Sequence, residues 1–188
     1  MKRFRLASAA LVLSAAAFAQ TPAPAAPGAA LRPFVRFTPP AGWRAEERAN
    51  GADPVVSFRK GLDVITLSLY GAEGSAYEDP GAFLRGPAAS TLGAPPRADG
   101  RVKVAGRSLA LYRRGYPVRL GDPHAPSSGR PPELARERFV VLPLRDGRFV
   151  VASHAFESAV PSFERDGERA FTAFLKTLQP SPKPRPKK

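Results

Sequence analysis

Apolar and polar positions along the chain alternate in short runs, and the period of each run predicts its element. Residues 35–37 read as a short strand stopped by Pro39-Pro40, and Ala41-Gly42-Trp43 as a turn that places the only tryptophan. Residues 55–60 and 64–70 read as two further strands. In the second, Ile65, Leu67 and Leu69 alternate with Thr66, Ser68 and Tyr70. Gly61-Leu62-Asp63 between them is short enough for a hairpin. Asp79-Pro80 combines an acidic cap with a proline at the first helical position, and predicts a short helix bearing Phe83 and Leu84. Gly86-Pro87 interrupts it, with Leu92 beyond.

Residues 101–104 and 108–116 read as strands paired around Ala105-Gly106. Residues 117–132 are rich in Pro, Gly and Ser and lack apolar periodicity, which predicts a long loop. Residues 136–144 and 148–156 form the clearest pair. Their cores, Phe139-Val140-Val141-Leu142 and Phe149-Val150-Val151-Ala152, flank the turn Arg145-Asp146-Gly147. Near-continuous apolarity there predicts strands covered on both faces, or a face under a helix. Across residues 161–178, Phe163, Ala170, Phe171, Phe174, Leu175 and Leu178 fall on one helical stripe. Gly167 sits inside that helix at a cost of about 1 kcal/mol, and Pro180 ends it. Three strands, a helix, four strands and a helix, joined by hairpin-sized links, predict an α+β domain. Its sheet is mainly antiparallel, of about six or seven strands, and two main helices cover it.

The chain ends have a different character. Lys2, Arg3 and Arg5 precede an apolar run over residues 6–18, and Ala17-Phe18-Ala19 offers an A-x-A cleavage pattern. This predicts a signal peptide over residues 1–19, cleaved before Gln20, and a periplasmic or secreted protein. Residues 20–31 read as a Pro/Ala linker, residues 32–179 as the folded domain, and residues 180–188 as an extended, solvated basic tail. About 150 residues suffice for one core that needs neither metal nor disulfide. The chain has no cysteine, which excludes a disulfide framework and a lipid-modified cysteine. No second apolar run reaches the length of a membrane span, so the mature chain is expected to lack one.

Of the net charge of +13, three charges lie in the leader and four in the tail, leaving about six across the domain. Export turns this basic surplus away from nucleic acid and toward anionic lipid or envelope polymer.

Phe37-x-x-Pro40-x-Gly42-Trp43 at the start and Ala170-Phe171-x-x-Phe174-Leu175-x-x-Leu178 at the close resemble the PsbP-like superfamily. That group includes the extrinsic PsbP protein of photosystem II, the Mog-type Ran-binding protein and small exported bacterial proteins. The resemblance spans about residues 31–180. It implies a single α/β/α sandwich around an antiparallel sheet and no particular function. No photosystem-binding or Ran-binding residue is carried over.

Candidate chemistry is sparse. His124 and His154 are the only histidines and lie apart in sequence, so no metal cluster is expected. His154, on the last strand with Val150, Ala152 and Phe156, reads first as a partly buried residue bonded to a neighbour. Ser57-Phe58-Arg59-Lys60 matches Ser-x-x-Lys but lies on a predicted strand, where the lysine cannot reach the serine. Glu46-Glu47 and Glu78-Asp79 read as solvated acids in or near loops. No Gly-x-Ser-x-Gly, phosphate loop or calcium-binding run occurs, and no catalytic residue, metal or cofactor is assigned.

The basic residues around the long loop are the strongest candidates for binding. Tyr112, Arg113, Arg114 and Tyr116 precede it, and Arg130, Arg136 and Arg138 lie in or after it. A hairpin would bring these arginines together, where they could hold a carboxylate, phosphate or sulfate group. The competing reading is a set of solvent-facing arginines protecting a sheet edge. Lys183, Arg185, Lys187 and Lys188 of the tail could lie on anionic lipid, or simply keep a disordered end soluble. Together these features predict a non-enzymatic exported accessory or binding protein of the envelope. Its partner would be an anionic polymer, a lipid or a protein. The alternatives are a hydrolase using His154 with a nearby acid, and an assembly partner acting through the sheet and long loop.

Overall fold

A computed structural model describes residues 26–91, 93–117, 134–156 and 165–182. The strands are β1 (Val35–Arg36), β2 (Arg44–Asn50), β3 (Asp53–Lys60), β4 (Asp63–Tyr70), β5 (Arg97–Val104), β6 (Arg107–Pro117), β7 (Leu134–Pro143), β8 (Phe149–Phe156) and β9 (Gln179–Pro180). Helix α1 (Pro80–Arg85) follows β4, and α2 (Arg165–Thr177) follows β8. Seven strands form one sheet in the order β2-β3-β4-β8-β7-β6-β5, and β1 and β9 form a second, two-stranded one. Every neighbouring pair is antiparallel. The fold is α+β, as the order of elements predicts.

Tight turns set the register. Lys60 pairs with Asp63 and Val104 with Arg107, each across two residues. Gly61, Ala105 and Gly106 in those turns have positive φ, as two-residue hairpins require. β8 is the middle strand of the seven and is buried along its whole length, which accounts for its unbroken apolar run.

Successive β7 and β8 residues feed two separate apolar clusters. Val140, Leu142, Val150 and Ala152 pack with Phe171, Phe174, Leu175 and Leu178 from α2 and its end. Phe139, Val141, Phe149 and Val151 pack with Phe83 of α1 and with Tyr70 and Tyr77. Since alternate side chains of a strand point to opposite faces, Phe83 of α1 and the apolar side chains of α2 pack against opposite faces of β7 and β8. α1 starts as its sequence requires: the Asp79 carboxylate accepts from the Ala82 N–H at 2.9 Å, and the helix stops before Gly86. Leu92 and Phe163 lie outside the described residues, as do residues 1–25 and 183–188.

Three boundaries differ from the sequence reading. The folded part begins before Arg32: Leu31 is only 1% exposed, and the Gly28 N–H donates to Glu47 Oε1 at 2.6 Å. Residues at the start of the expected tail are held as well. Gln179 and Pro180 pair with Arg36 and Val35, and the Ser181 N–H donates to the Phe34 carbonyl at 2.8 Å. Glu46 and Glu47 lie on β2 rather than in a loop; Glu46 faces Arg44, Arg48 and Arg59 at 3.5–3.9 Å.

Candidate functional site

The β6–β7 hairpin sorts its basic residues between the two faces. Register places Arg113 opposite Arg138, Arg114 opposite Glu137, and Gly115 opposite Arg136. Arg113, Arg136 and Arg138 therefore project to the α2 face, where with His154 and Glu168 they line a small pocket of about 70 Å³. Arg114 projects to the other face and is ion-paired with the buried Glu137. Tyr112 also lies there, its ring stacked on Phe139 at 5.4 Å between centroids. Tyr112 and Arg114 thus do not join the arginine pocket, because adjacent strand residues face opposite ways. The side chain of Tyr116, and Arg130, Lys183, Arg185, Lys187, Lys188 and His124, lie outside the described residues.

Charge is concentrated across the strands at this level. Arg97 of β5 stands opposite Arg113, and Arg113 opposite Arg138. Like charges directly opposite destabilise a sheet unless anions offset them. Arg138 has such anions: its Nε donates to Asp99 Oδ2 at 2.7 Å and its Nη1 to Glu168 Oε1 at 2.8 Å. These two bonds fix the guanidinium in place in the pocket lining. Arg113 has no recorded anionic partner among the described residues, and its side chain faces the pocket.

His154, one of the lining residues, belongs to a buried pair with Asp63. His154 is 3% exposed, its Nε2 lies 2.8 Å from Asp63 Oδ1, and its ring stacks on Phe171 at 5.8 Å. Asp63 opens β4 and His154 lies near the end of β8, so their approach depends on the β4–β8 pairing of Ile65 with His154. Gly167 of α2 lies directly above: a Cβ there would come within 1.8 Å of Asp63 Oδ1 and 2.5 Å of His154 Nε2. The helix carries glycine at this point because a side chain would strike the pair.

Other polar groups are accounted for structurally. Ser57 and Lys60 lie three apart on β3, hence on opposite faces, and Ser57 Oγ is 3.2 Å from Thr66 Oγ1. Asp53, which the sequence pattern does not single out, is buried. It accepts from the Ser75 hydroxyl at 2.6 Å and the Ala76 N–H at 2.9 Å, anchoring the loop after β4. Among the described residues no buried side-chain polar atom lacks a partner, and no three His, Asp or Glu side chains converge as a metal site would need. Among them too, no helix is long and apolar enough to cross a membrane.

Comparison with family models, with curated proteins and with solved structures found no match to this chain.

Proposed function

We propose that this is a non-enzymatic, exported binding protein of the bacterial cell envelope, and that it holds an anionic group between Arg113, Arg136 and Arg138. The observation that carries this reading is the convergence of those three arginines on one pocket of about 70 Å³. Arginine forks suit oxyanions, which they engage through paired, charge-assisted hydrogen bonds. Arg138 is held rigid by Asp99 and Glu168, so less side-chain freedom is lost on binding. An anion beside Arg113 would also offset the repulsion along the Arg97–Arg113–Arg138 row.

The leader over residues 1–19 supports export, which places anionic lipids and envelope polymers within reach. The resemblance to the PsbP-like superfamily belongs to the same proposal. An antiparallel sheet with a helix on each face is what it implies.

The burial of His154 under Gly167 speaks for a structural histidine rather than the general base of a hydrolase. An assembly role through apolar surface has little support, since Leu62 is the exposed large apolar side chain among the described residues.

Thermal unfolding in increasing inorganic phosphate tests the proposal by linkage, because a ligand that binds only the folded state raises the melting temperature. The wild type should gain stability in a saturable way, and Arg113→Ala should lose most of that gain. Equal gains in both proteins would refute the assignment.

A further inference from the structure

The small pocket does not stand alone. Arg138 and Glu168, an ion pair, line both this pocket and an open groove of about 370 Å³. The groove is lined by Arg138, Glu168, Arg169, Thr172, Ala173 and Lys176, so it runs along one side of α2. Arg169 and Lys176 are seven residues apart, which sets their Cα atoms about 10 Å apart along the helix on nearly the same side. Among the described residues Arg169 pairs with Asp166 at 3.8 Å, almost fully exposed and hence weakly. Lys176 has no recorded ion-pair partner among the described residues. The arginine pocket thus adjoins a groove that carries two further cations, Arg169 beside Glu168 and Lys176 about two turns along α2.

The two compartments differ in what they can hold. The first is small, about 70 Å³, and its lining of three arginines suits a compact oxyanion. Three guanidinium groups line it beside the Glu168 carboxylate, and arginine forks suit the oxygens of a phosphate. The adjoining groove is open and carries cations, a hydroxyl and a methyl, without the aromatic walls of an apolar ligand site. Its character suits a chain that continues outward from the bound group and carries further negative charge.

We infer that the ligand is a linear phosphate polymer. One phosphate sits among Arg113, Arg136 and Arg138, and a later phosphate of the same chain rests against Arg169 and Lys176. This rests on the anion-binding reading above and adds the ligand class and the second contact. Glu168, paired to Arg138, lies where the two compartments meet.

The test is calorimetric titration of the full chain with inorganic phosphate and with a linear polyphosphate at several salt concentrations. The wild type, Arg113→Ala and the double variant Arg169→Ala/Lys176→Ala are compared, so the basic tail contributes equally to each. Arg113→Ala should weaken both ligands, by about tenfold for a lost charge-assisted contact. The double variant should leave inorganic phosphate unchanged, weaken polyphosphate, and flatten its log–log salt dependence by about one unit, as fewer counterions are released. If the double variant binds both ligands like the wild type, the polymer inference is wrong while the anion pocket stands. If neither ligand binds the wild type at low salt, both fall. A parallel arm uses vesicles containing anionic lipid. Loss of vesicle binding in the double variant, with polyphosphate binding intact, would overturn the polymer in favour of a membrane surface.

Discussion

Gly167 of α2 lies against His154 of β8 so closely that a methyl group at its Cα would fall 2.5 Å from the imidazole Nε2. In an exposed helix, alanine would be the better residue by about 1 kcal/mol. Here the preference reverses, because the added carbon meets both members of a buried hydrogen bond. Gly167→Ala is predicted to destabilise the fold by about 1–3 kcal/mol, the usual cost of overpacking. Urea unfolding measures it; a variant as stable as the wild type or more so would show that α2 does not sit on the pair.

Asp63 Oδ1 lies 2.8 Å from Nε2 of the buried His154. Asp63→Ala should cost about 1–3 kcal/mol, since the imidazole is left without its partner away from water. Combining Asp63→Ala with His154→Phe should cost less than the sum of the two single changes, as expected for groups in direct contact. Additive losses in chemical denaturation would contradict the pairing.

The N-terminal boundary gives a third prediction. Leu31 lies in the same cluster as Phe37, Phe174 and Leu178. Leu31→Ala should therefore lower stability by about 2–5 kcal/mol, the range for emptying a core leucine site. A solvated linker residue at this position would give no change in the denaturation midpoint.

Burial pushes the Tyr70 phenol above its ordinary value, opposed by the hydrogen bond with Ser68. The folded protein then keeps this proton at a pH where the unfolded chain has released it. That contribution to stability is complete below about pH 10, the free tyrosine value, and is lost as pH rises through the folded value. Ultraviolet titration should show one tyrosine ionising later than a free phenol, and Tyr70→Phe should remove that late step. A late step that survives the substitution would place the burial elsewhere.

Much of the strand framework was legible because burial follows alternation. β4, β7 and β8 carry apolar runs that only a covered sheet explains, and Asp79-Pro80 announces α1 through its cap. β2 was not legible. Arg44-Ala45-Glu46-Glu47-Arg48-Ala49-Asn50 has no apolar alternation, and this edge strand is held by its pairing with β3. β1 and β9 are two residues each and exist only because residues 35–36 and 179–180, far apart in sequence, meet. The convergence of Arg113, Arg136 and Arg138 followed from a hairpin across the long loop. The departure of Tyr112 and Arg114 to the other face follows from strand alternation, which closeness in sequence to Arg113 does not reveal. The His154–Asp63 contact joins residues 91 apart in sequence, and nothing local to either residue announces it. Gly167 looked like a defect in α2 until its neighbour was known.

The central claim is that an anion binds between Arg113, Arg136 and Arg138, and arginine side-chain nuclear magnetic resonance tests it most directly. Each arginine Nε–H gives its own signal as inorganic phosphate is added at fixed ionic strength. The account predicts that the Arg113, Arg136 and Arg138 signals shift together and saturate, while the exposed Arg44 and Arg107 signals stay in place. Small, unsaturated shifts shared by all five arginines would contradict it.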